Sequence, residues 1–391
     1  MTRGSLIALA AGGTGGHMTP AHALAEELAA RGHEILLITD HRGAAVPGIC
    51  PAARRATLDS GRMASGLAGK LATGLRMGRN VLRARGILET ARPAAVVGFG
   101  GFPAFSALAA ARSLDIPACL HEQNAVLGRT NRMLAPGADS LALSYPDTQR
   151  LSAGQTPVTV TGNPVRAAVT HLATTPYATP GEDGLVRLLV IGGSLGARVL
   201  SDVVPDALAL LPPHLRSRLQ VSQQCRDEDL GRVRERYANA GVTAELQRYF
   251  EDLPDRLHWA HLVIARAGAS TLAELACAGR PAILVPLPAA TDDHQTANAR
   301  HFTEAGAGWL TPQGEFTAQS LAKQMHRLVL APEKLAAAAA DARALGRPDA
   351  AARLADLVLR IAGLAGEQAD SPAPAQRRAT PPPAEKQEAA A

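Results

Sequence analysis

A glycine-rich run near the start of the sequence has the composition of a phosphate-binding loop. Residues 12–17 read Gly-Gly-Thr-Gly-Gly-His and follow an apolar segment, Leu6–Ala11, that is typical of a buried strand. Pro20 and a predicted helix over Ala21–Arg31 come next. The run fits neither the GxGxxG nor the Walker pattern. Glycines nevertheless let a backbone approach a ligand closely, and the N–H groups at a helix N-terminus attract phosphate. The alternative is a tight strand-to-helix turn with His17 on the surface.

A second run of small residues repeats this arrangement further along the chain. Residues 192–197 read Gly-Gly-Ser-Leu-Gly-Ala, after the apolar segment Leu185–Ile191 and before a helical pattern. One phosphate-type loop in each half of the chain indicates a cleft with ligand groups on both walls. The alternative is a turn of small residues that holds no ligand.

Four consecutive polar side chains, at residues 121–124, end the apolar segment Ala118–Leu120 and read His-Glu-Gln-Asn. Ligands bind outside the carboxyl ends of parallel strands, and four hydrogen-bonding side chains are poor core material. The run therefore suits a sugar or another polyhydroxylated ligand. The alternative is that these side chains only cap the strand.

The segment Ala269–Glu274 opens a helix directly after the predicted strand Leu262–Ala265. A carboxylate at Glu274 in the first turns stabilises the helix dipole, which is the plainer interpretation. The sharper one is that Glu274 accepts hydrogen bonds from two hydroxyls of a ribose. Residues 292–295 and Asn298 continue this polar edge into another helix.

The acidic run Asp227-Glu228-Asp229 matches the bare DxD pattern of metal-dependent sugar transferases. It also has the composition of an acidic first turn for a helix over 227–238, and acidic residues stabilise that position. We favour the helix and predict no metal ion and no cofactor.

These groups must be positioned by an alternation of short apolar runs and amphipathic stretches. Continuous apolar strands with helical patterns between them predict parallel sheets covered on both faces. The series runs twice, each time beginning with a strand, a glycine loop and a helix, so the sequence predicts two doubly wound, Rossmann-like α/β domains. The predicted strands are Leu6–Ala11, Glu34–Thr39, Ala94–Gly98, Ala118–Glu122, Ser140–Leu143, Val158–Thr161, Leu185–Ile191, Leu219–Gln223, Thr243–Leu246, Leu262–Ala265 and Ala282–Pro286.

Turn residues at Gly162-Asn163-Pro164 mark the break between the two domains. We therefore predict a first domain over 1–163 and a second over 164–345. A helix near 348–363 completes the first domain. The last segment, 365–391, is rich in proline, alanine and glutamine and is predicted to be a disordered tail.

Composition narrows the classes of function. With 47% hydrophobic residues among 391, the chain can form packed cores, while 3% aromatic residues disfavour stacking on single-stranded nucleic acid. A net charge of +5 suits a phosphate-bearing ligand or an anionic membrane surface without requiring nucleic acid. Four cysteines without a CxxC pair are typical of reduced cytosolic thiols. No apolar run is long enough for a spanning helix or a convincing signal peptide.

An amphipathic stretch over 65–88 places leucines on one face and arginines beside them. At about 100° per residue, the shared face holds Leu67, Leu71, Leu75 and Leu82, and the rim holds Arg76, Arg79 and Arg83. A basic rim beside apolar residues suits an anionic membrane surface. The alternative is that the leucines face the core and the arginines are only solvated.

Taken together, these motifs resemble one family closely: the bacterial MurG family, the UDP-N-acetylglucosamine transferases of peptidoglycan synthesis. The resemblance covers about residues 5–362 in the right order. The similar segments are 12–17 with Pro20, 98–102, 121–124, 162–166, 192–197, 269–274 and the edge at Gln295 and Asn298.

The resemblance implies a GT-B type glycosyltransferase, with two Rossmann-like domains facing across a cleft. UDP-GlcNAc would bind mainly to the second domain and an undecaprenyl-linked lipid acceptor, lipid I, to the first, giving lipid II. It also implies a peripheral protein on the cytoplasmic face of the bacterial inner membrane, with other cell-wall synthesis and division proteins as partners.

Positions that contact the donor in this family carry over one by one. Among them Glu274 would hold the ribose hydroxyls, and Phe250 would contact the uracil through its backbone. Residues 223–226, Gln-Gln-Cys-Arg, depart from the family's usual His-Gln-x-Gly. This departure concerns the loop that the resemblance places beside the diphosphate, and it weakens the assignment of a role to residue 223. The donor positions are Thr14, Gly15, Gly16, Asn124, Arg166, Ser194, Phe250, Ala269, Ser270, Thr271, Leu272, Ala273, Glu274 and Gln295.

The implied reaction inverts the anomeric carbon and needs a general base and donors for the departing diphosphate. His17 is the candidate base and Glu122 the second choice. Two other classes remain open at this point: another GT-B lipid glycosyltransferase, such as a diacylglycerol glucosyltransferase, and a non-catalytic nucleotide-binding scaffold.

Overall fold

A computed structural model describes residues 4–13, 15–46, 48, 50–59, 67–193 and 196–364, without the side chains of 67–72. The predicted donor residues Thr14 and Ser194, the side chain of Leu71 and the predicted tail over 365–391 lie outside the described residues. Within them the chain forms two parallel sheets, each covered by helices on both faces.

The first sheet has the strand order β3-β2-β1-β4-β5-β6-β7, and all of its recorded pairs are parallel. The order reverses between β1 and β4, so the crevice of this domain opens at their carboxyl ends. Its strands are β1 Leu6–Ala10, β2 Glu34–Thr39, β3 Arg54–Thr57, β4 Ala95–Gly98, β5 Ala118–Glu122, β6 Ser140–Leu143 and β7 Val158–Val160.

The second sheet repeats this arrangement with the order β10-β9-β8-β11-β12-β13. Here the order reverses between β8 and β11, the strands that precede the second glycine loop and the Ala269–Glu274 segment. Its strands are β8 Val186–Ile191, β9 Leu219–Gln224, β10 Thr243–Gln247, β11 Leu262–Ala265, β12 Ala282–Leu284 and β13 Gly308–Leu310.

Helices connect the strands, and none in the described residues is both long and apolar enough to cross a membrane. They are α1 Gly15–Ala30, α2 His41–Ala44, α3 Leu67–Ala91, α4 Gly101–Arg112, α5 Arg129–Leu134, α6 Ala167–Thr170, α7 Arg198–Ala209, α8 Pro213–Arg216, α9 Leu230–Ala240, α10 Leu253–Trp259, α11 Ala269–Ala278, α12 His294–Glu304, α13 Ala318–Val329, α14 Pro332–Leu345 and α15 Ala350–Ile361.

The last helix, α15, returns to the first domain. Its buried residues Leu354 and Val358 belong to the same apolar cluster as Ile7 on β1 and Leu24 on α1. Asp356 on α15 also forms a 2.5 Å ion pair with Arg31, which directly follows α1.

The predicted fold class, two doubly wound Rossmann-like domains, is confirmed. Strands β3 and β13 were not predicted, because β3 is polar (Arg-Arg-Ala-Thr) and β13 has only three residues. Helix α1 begins at Gly15, six residues before the predicted start, so Pro20 lies inside it. Helix α9 begins at Leu230, and the acidic run 227–229 forms a short 3-10 turn before it.

All four cysteines are buried. Burial raises the pKa of the Cys50 and Cys119 thiols to about 12 and that of Cys277 to about 11, and it also raises the pKa of Cys225. These thiols therefore stay protonated at neutral pH and act as small apolar side chains.

Candidate active site

The carboxyl ends of the two sheets face each other, and a cavity of about 260 Å³ opens there. Its floor comes from the loops after β1, β4 and β5 of the first domain, including His17, Gly100 and Gln123. Thr291, Asp292 and His294, from the turn before α12, contribute a wall from the second domain. The cavity therefore lies where both domains can act on one ligand.

His17 lies in the first turn of α1, at the mouth of the first glycine loop. Gly100 has φ +103°, and a Cβ added to it would lie 2.8 Å from His17 Cε1. Only glycine fits there, because a side chain would collide with the imidazole as well as strain the backbone. The His17 ring is thus packed against the β4–α4 backbone.

The polar run 121–124, at the end of β5, contacts the His17 imidazole through Gln123. Gln123 is buried and its Oε1 lies 3.1 Å from His17 Nδ1. His121 is fully buried, and its Nε2 lies 3.0 Å from the carbonyl oxygen of Gly162. Burial lowers the pKa of His121 to about 4, so this imidazole is neutral near pH 7.

Glu122, the second choice for the base, is buried and engaged by its own loop. Its Oε1 accepts hydrogen bonds from Asn124 N (3.0 Å) and Nδ2 (3.1 Å). Its Oε2 accepts from Gly128 N and from Asn131 Nδ2, both at 2.8 Å. With both oxygens occupied, Glu122 holds the loop that leads to α5.

Asn298, on α12, makes three hydrogen bonds, two of which join the second domain to the first. Its Oδ1 accepts from Ala125 N at 2.8 Å, and its Nδ2 donates to Asn124 Oδ1 at 3.1 Å and to Ala267 O at 3.2 Å. Because the side chain is fully buried, these bonds are shielded from water. The predicted donor residue Asn124 is therefore held at the domain boundary.

Asp292 makes a second link between the domains. It lies 2.7 Å from Arg132, 2.7 Å from Arg150 and 3.7 Å from Arg129, all in the first domain. The hydrogen bond from Arg132, followed by that from Arg150, holds the pKa of the Asp292 carboxyl below its usual range. The backbone at Asp292 is left-handed, with φ 54°, a conformation that aspartate tolerates better than most residues.

A third link connects α1 with α11. Pro20 has no N–H, so it cannot donate to the carbonyl of Gly16 four residues earlier. That carbonyl instead accepts a 3.3 Å hydrogen bond from the hydroxyl of Ser270. The proline inside α1 thereby frees an acceptor that the second domain uses.

The predicted donor residues Arg166 and Glu274 form a bidentate ion pair. Arg166 Nε and NH2 lie 2.8 and 2.9 Å from the two oxygens of Glu274. Burial opposes the charge on Arg166, but the pair with Glu274 outweighs it and raises the pKa of the guanidinium. A ribose bound by Glu274 would have to share or replace these hydrogen bonds.

Three further predicted donor residues have partners within the second domain. Phe250 is buried, with the Arg256 guanidinium 4.2 Å above its ring, so its side chain belongs to the core. Gln295 Oε1 accepts a 3.0 Å hydrogen bond from Leu287 N. Leu272 is buried in the second domain's core.

The run 223–226, which departs from the family pattern at Gln223 and Arg226, lies beside the second glycine loop. Gln224 Oε1 accepts from Gly192 N at 3.1 Å, and its Nε2 donates to Gly193 O at 3.0 Å. Gln223 accepts a 2.5 Å hydrogen bond from the buried Tyr237 hydroxyl. The Arg226 side chain lies directly beside Gly196, since a Cβ there would be 3.0 Å from Arg226 Cγ.

The acidic DxD run is paired with arginines. Asp227 lies 3.1 Å from Arg248, and Asp229 lies 2.6 Å from Arg232. Among the described residues no group of three or more His, Cys, Asp or Glu side chains is arranged to hold a metal ion.

The predicted membrane face lies on α3. Leu75 is 73% exposed and Leu82 is 69% exposed, so these two leucines do not face the core. Arg79 and Arg83 are exposed and Arg76 is half-buried. Arg83 lies 3.6 Å from Asp59, which neutralises part of the basic rim.

Sequence reasoning missed how the two walls are joined. Asn298 and Asp292 were recognised only as parts of a polar edge, and Arg129, Arg132 and Arg150 were not singled out. The contacts of Asp292 and Asn298 join residues about 140 to 175 positions apart in the chain, and no local spacing encodes such pairs. Two consecutive aspartates at the start of a helix were the one available signal.

The fold and this interdomain site define a two-domain glycosyltransferase. The Glycosyltransferase family 28 N-terminal domain matches residues 7–143, and the C-terminal domain of the same family matches residues 187–354. Together these matches span more than half of the chain.

Similar proteins narrow the class further. Two relatives carry the name UDP-N-acetylglucosamine–N-acetylmuramyl-(pentapeptide) pyrophosphoryl-undecaprenol N-acetylglucosamine transferase. The one from Zymomonas mobilis is 52% identical, over 91% of this chain and 92% of its own. The one from Rhodospirillum centenum is 52% identical, over 92% and 95%. The crystal structure of Acinetobacter baumannii MurG superposes with a TM-score of 0.72 at 30% identity, over 91% of this chain and 99% of that one. The chain belongs to the MurG family of glycosyltransferases.

Proposed function

We propose that the chain transfers N-acetylglucosamine from UDP-GlcNAc to undecaprenyl-diphospho-MurNAc-pentapeptide, lipid I, and so forms lipid II for peptidoglycan. Relatives named for this transfer match more than nine-tenths of the chain. The observation that carries the proposal is the cavity itself. It brings His17 from one glycine loop within reach of the second domain, whose helix α11 already touches α1 through Ser270.

The reaction is a single displacement. A hydroxyl of the MurNAc sugar attacks the anomeric carbon, a new C–O bond forms, and the bond from that carbon to the UDP oxygen breaks with the electron pair leaving on UDP. The hydroxyl proton passes to the imidazole of His17. Attack from the side opposite UDP inverts the configuration.

We favour His17 over Glu122 as the base because of what surrounds each group. Both oxygens of Glu122 already accept hydrogen bonds from its own loop. His17 lines the cavity, and its Nε2 has no hydrogen-bond partner among the described residues. A general base must reach the proton it removes, which favours the imidazole.

The departing diphosphate would be stabilised without a metal ion. Arg166, the backbone N–H groups of the second glycine loop and the N-terminus of α11 supply positive charge or donors on the donor side. The two carboxylates of the DxD pattern are paired with arginines instead.

We therefore expect turnover to persist in excess EDTA, with the same kcat as in buffer that contains Mg²⁺. The measurement is UDP release in the two buffers. Loss of activity in EDTA that either Mg²⁺ or Mn²⁺ restores would contradict the metal-free mechanism and identify Asp227 and Asp229 as candidate ligands.

The acceptor's lipid chain would bring the protein to a membrane surface, and α3 is the element suited to meet it. Exposed Leu75 and Leu82 are seven residues apart and so lie on one helix face, with Arg79 and Arg83 beside them. We place the protein on the cytoplasmic face of the inner membrane, as a peripheral protein that works beside other cell-wall synthesis and division proteins.

The test is UDP release by the purified chain with defined acceptors. We expect release with UDP-GlcNAc and lipid I, and little with diacylglycerol or with no acceptor. Preference for diacylglycerol would identify another lipid glycosyltransferase of the same fold. Binding of UDP-GlcNAc without turnover on any acceptor would identify a scaffold.

A further inference from the structure

A continuous row of hydrogen bonds runs from His17 to the segment that joins the two domains. His17 Nδ1 lies 3.1 Å from Gln123 Oε1, Gln123 Nε2 lies 3.0 Å from His121 Nδ1, and His121 Nε2 lies 3.0 Å from Gly162 O. Gln123 is 2% exposed and His121 is fully buried, so water does not compete for these bonds.

The acceptor at the far end fixes the proton on His121. A backbone carbonyl can only accept, so the nitrogen that faces Gly162 O must carry the hydrogen. Because His121 is neutral near pH 7, its other nitrogen, Nδ1, has a lone pair and must accept. The amide NH2 of Gln123 therefore has to face His121.

A second acceptor fixes the same orientation of Gln123. Its Nε2 also donates to the backbone oxygen of His121 at 2.9 Å. If the Gln123 amide were flipped, its Oε1 would face the backbone oxygen of His121, and two acceptors would be in contact. The Oε1 atom of Gln123 must therefore face His17, and an amide oxygen can only accept.

The row determines which nitrogen of His17 carries the proton. Nδ1 must donate to Gln123, so neutral His17 holds its lone pair on Nε2. We propose that Gln123 is a positioning residue that selects this tautomer, and that His17 Nε2 is the atom that takes the acceptor's proton. The assignment of that last step rests on the proposed function, whereas the tautomer itself does not.

Other charged or titratable groups near His17 do not compete for Nδ1. His121 reaches it only through Gln123, and Glu122 is held by its own loop. The cavity is also lined by Arg129, Asp292 and His294. Asp292 is paired with arginines and His294 Nδ1 lies 2.7 Å from Thr291 O.

The tautomer can be observed directly by long-range ¹H–¹⁵N NMR on protein labelled at its twelve histidines, with His17 assigned by the spectrum of His17→Asn. In the unaltered chain without substrate at neutral pH, we expect the pyrrole-type nitrogen of His17 to be Nδ1 and the pyridine-type nitrogen to be Nε2. A protonated Nε2 in neutral His17 would overturn the proposal, without bearing on which sugar the protein transfers.

Gln123→Leu removes the amide that selects the tautomer and replaces it with an apolar side chain of similar size. We expect the His17 signals to become those of a mixture of tautomers, and kcat for UDP release to fall by about 10-fold or more, with donor KM little changed. Gln149→Leu makes the same change at an exposed glutamine of this domain and should alter neither.

Wild-type NMR decides the case even if Gln123→Leu does not fold. An altered tautomer with unchanged kcat would remove Gln123 from the mechanism, and an unaltered tautomer in Gln123→Leu would contradict the selection. If the chain fails to use lipid I while His17 keeps Nδ1 protonated, the proposed function fails and the tautomer assignment stands.

Discussion

The imidazole of His17 is held on both sides, by the Gly100 backbone and by the Gln123 amide. Such a side chain has little freedom to rotate, so the entropy of positioning the base is lost on folding and not during turnover. Such rigidity is what we expect of a general base, and a histidine on a surface turn would not need it.

His17→Ala should lower kcat by about 10²–10⁴-fold, because that is the usual contribution of a general base. Donor KM should change much less, since the imidazole belongs to the first domain. A general base must be unprotonated to act, so we expect the intact enzyme to lose activity at acidic pH and the variant to lack this acidic limb. A pH–rate profile checks both effects. A variant with wild-type kcat and an unaltered acidic limb would rule out His17.

Arg166 and Glu274 should show strong coupling, because each is the other's partner in a largely buried pair. Glu274→Ala should raise donor KM and also destabilise the fold, since it leaves a half-buried guanidinium without its carboxylate. The double-mutant cycle with Arg166→Ala should give a coupling free energy of about 1–3 kcal/mol in chemical unfolding. Additive effects would mean that the two residues act separately, and unchanged donor affinity in Glu274→Ala would exclude Glu274 from the donor site.

Helix α3 differs from the other long helices in what it exposes. Its Leu75 and Leu82 are more exposed than any of the other large apolar side chains recorded on the described surface. An interfacial helix inserts apolar side chains from one face into the lipid headgroup layer, and arginines beside them contact anionic headgroups. Helix α3 has this arrangement.

Neutralising Arg76, Arg79 and Arg83 together, as glutamines, should weaken binding to anionic vesicles by about 1 kcal/mol for each charge near the surface. Turnover of a short-chain acceptor in detergent should hardly change, because none of the α3 side chains that the structure describes lines the cavity. Co-sedimentation with vesicles measures the first effect and UDP release the second. The control neutralises three exposed arginines of the second domain, Arg198, Arg234 and Arg327. Equal vesicle binding by the α3 variant would mean that these arginines are only solvated.

Much of the order of strands and helices could be predicted, because buried parallel strands appear in the sequence as continuous apolar runs. The two strands missed, β3 and β13, lack that signature because one is polar and the other short. The start of α1 was placed too late, because proline normally marks a first turn and here its missing donor is compensated by Ser270. The cavity is lined by His17, beside the first glycine loop, and by residues of the 121–124 run, but its interdomain contacts depend on packing that no local pattern records.

The two domains meet through polar groups more than through apolar ones. Asn298 contributes buried hydrogen bonds, Asp292 contributes ion pairs, and Ser270 reaches a single carbonyl. Interfaces of this kind open at lower cost than apolar ones, because water can replace each lost partner. We therefore expect the two domains to separate more readily than an apolar interface would allow.

Asp292→Asn should weaken the contact between the two domains. The ion pairs need an ionised Asp292 carboxylate, and the arginines lower the pKa of that carboxyl. The stabilisation from these pairs is therefore complete above the pKa of an unpaired aspartate. It is lost as the pH falls through the lowered pKa of Asp292. We expect a larger radius of gyration for the variant in small-angle X-ray scattering at neutral pH. High salt should expand the wild type in the same direction, since exposed pairs are screened. Asp293→Asn is the control, and identical scattering curves for the two variants would show that Asp292 does not hold the domains together.

The burial of every native thiol has a practical consequence. Since only thiolates react quickly with maleimides, the unmodified chain should take up such dyes slowly while folded. A cysteine introduced on the surface of each domain would then be labelled selectively, with no need to replace the four native residues. Fluorescence energy transfer between two such dyes could follow the opening and closing of single molecules during turnover, in an enzyme whose cores are unaltered.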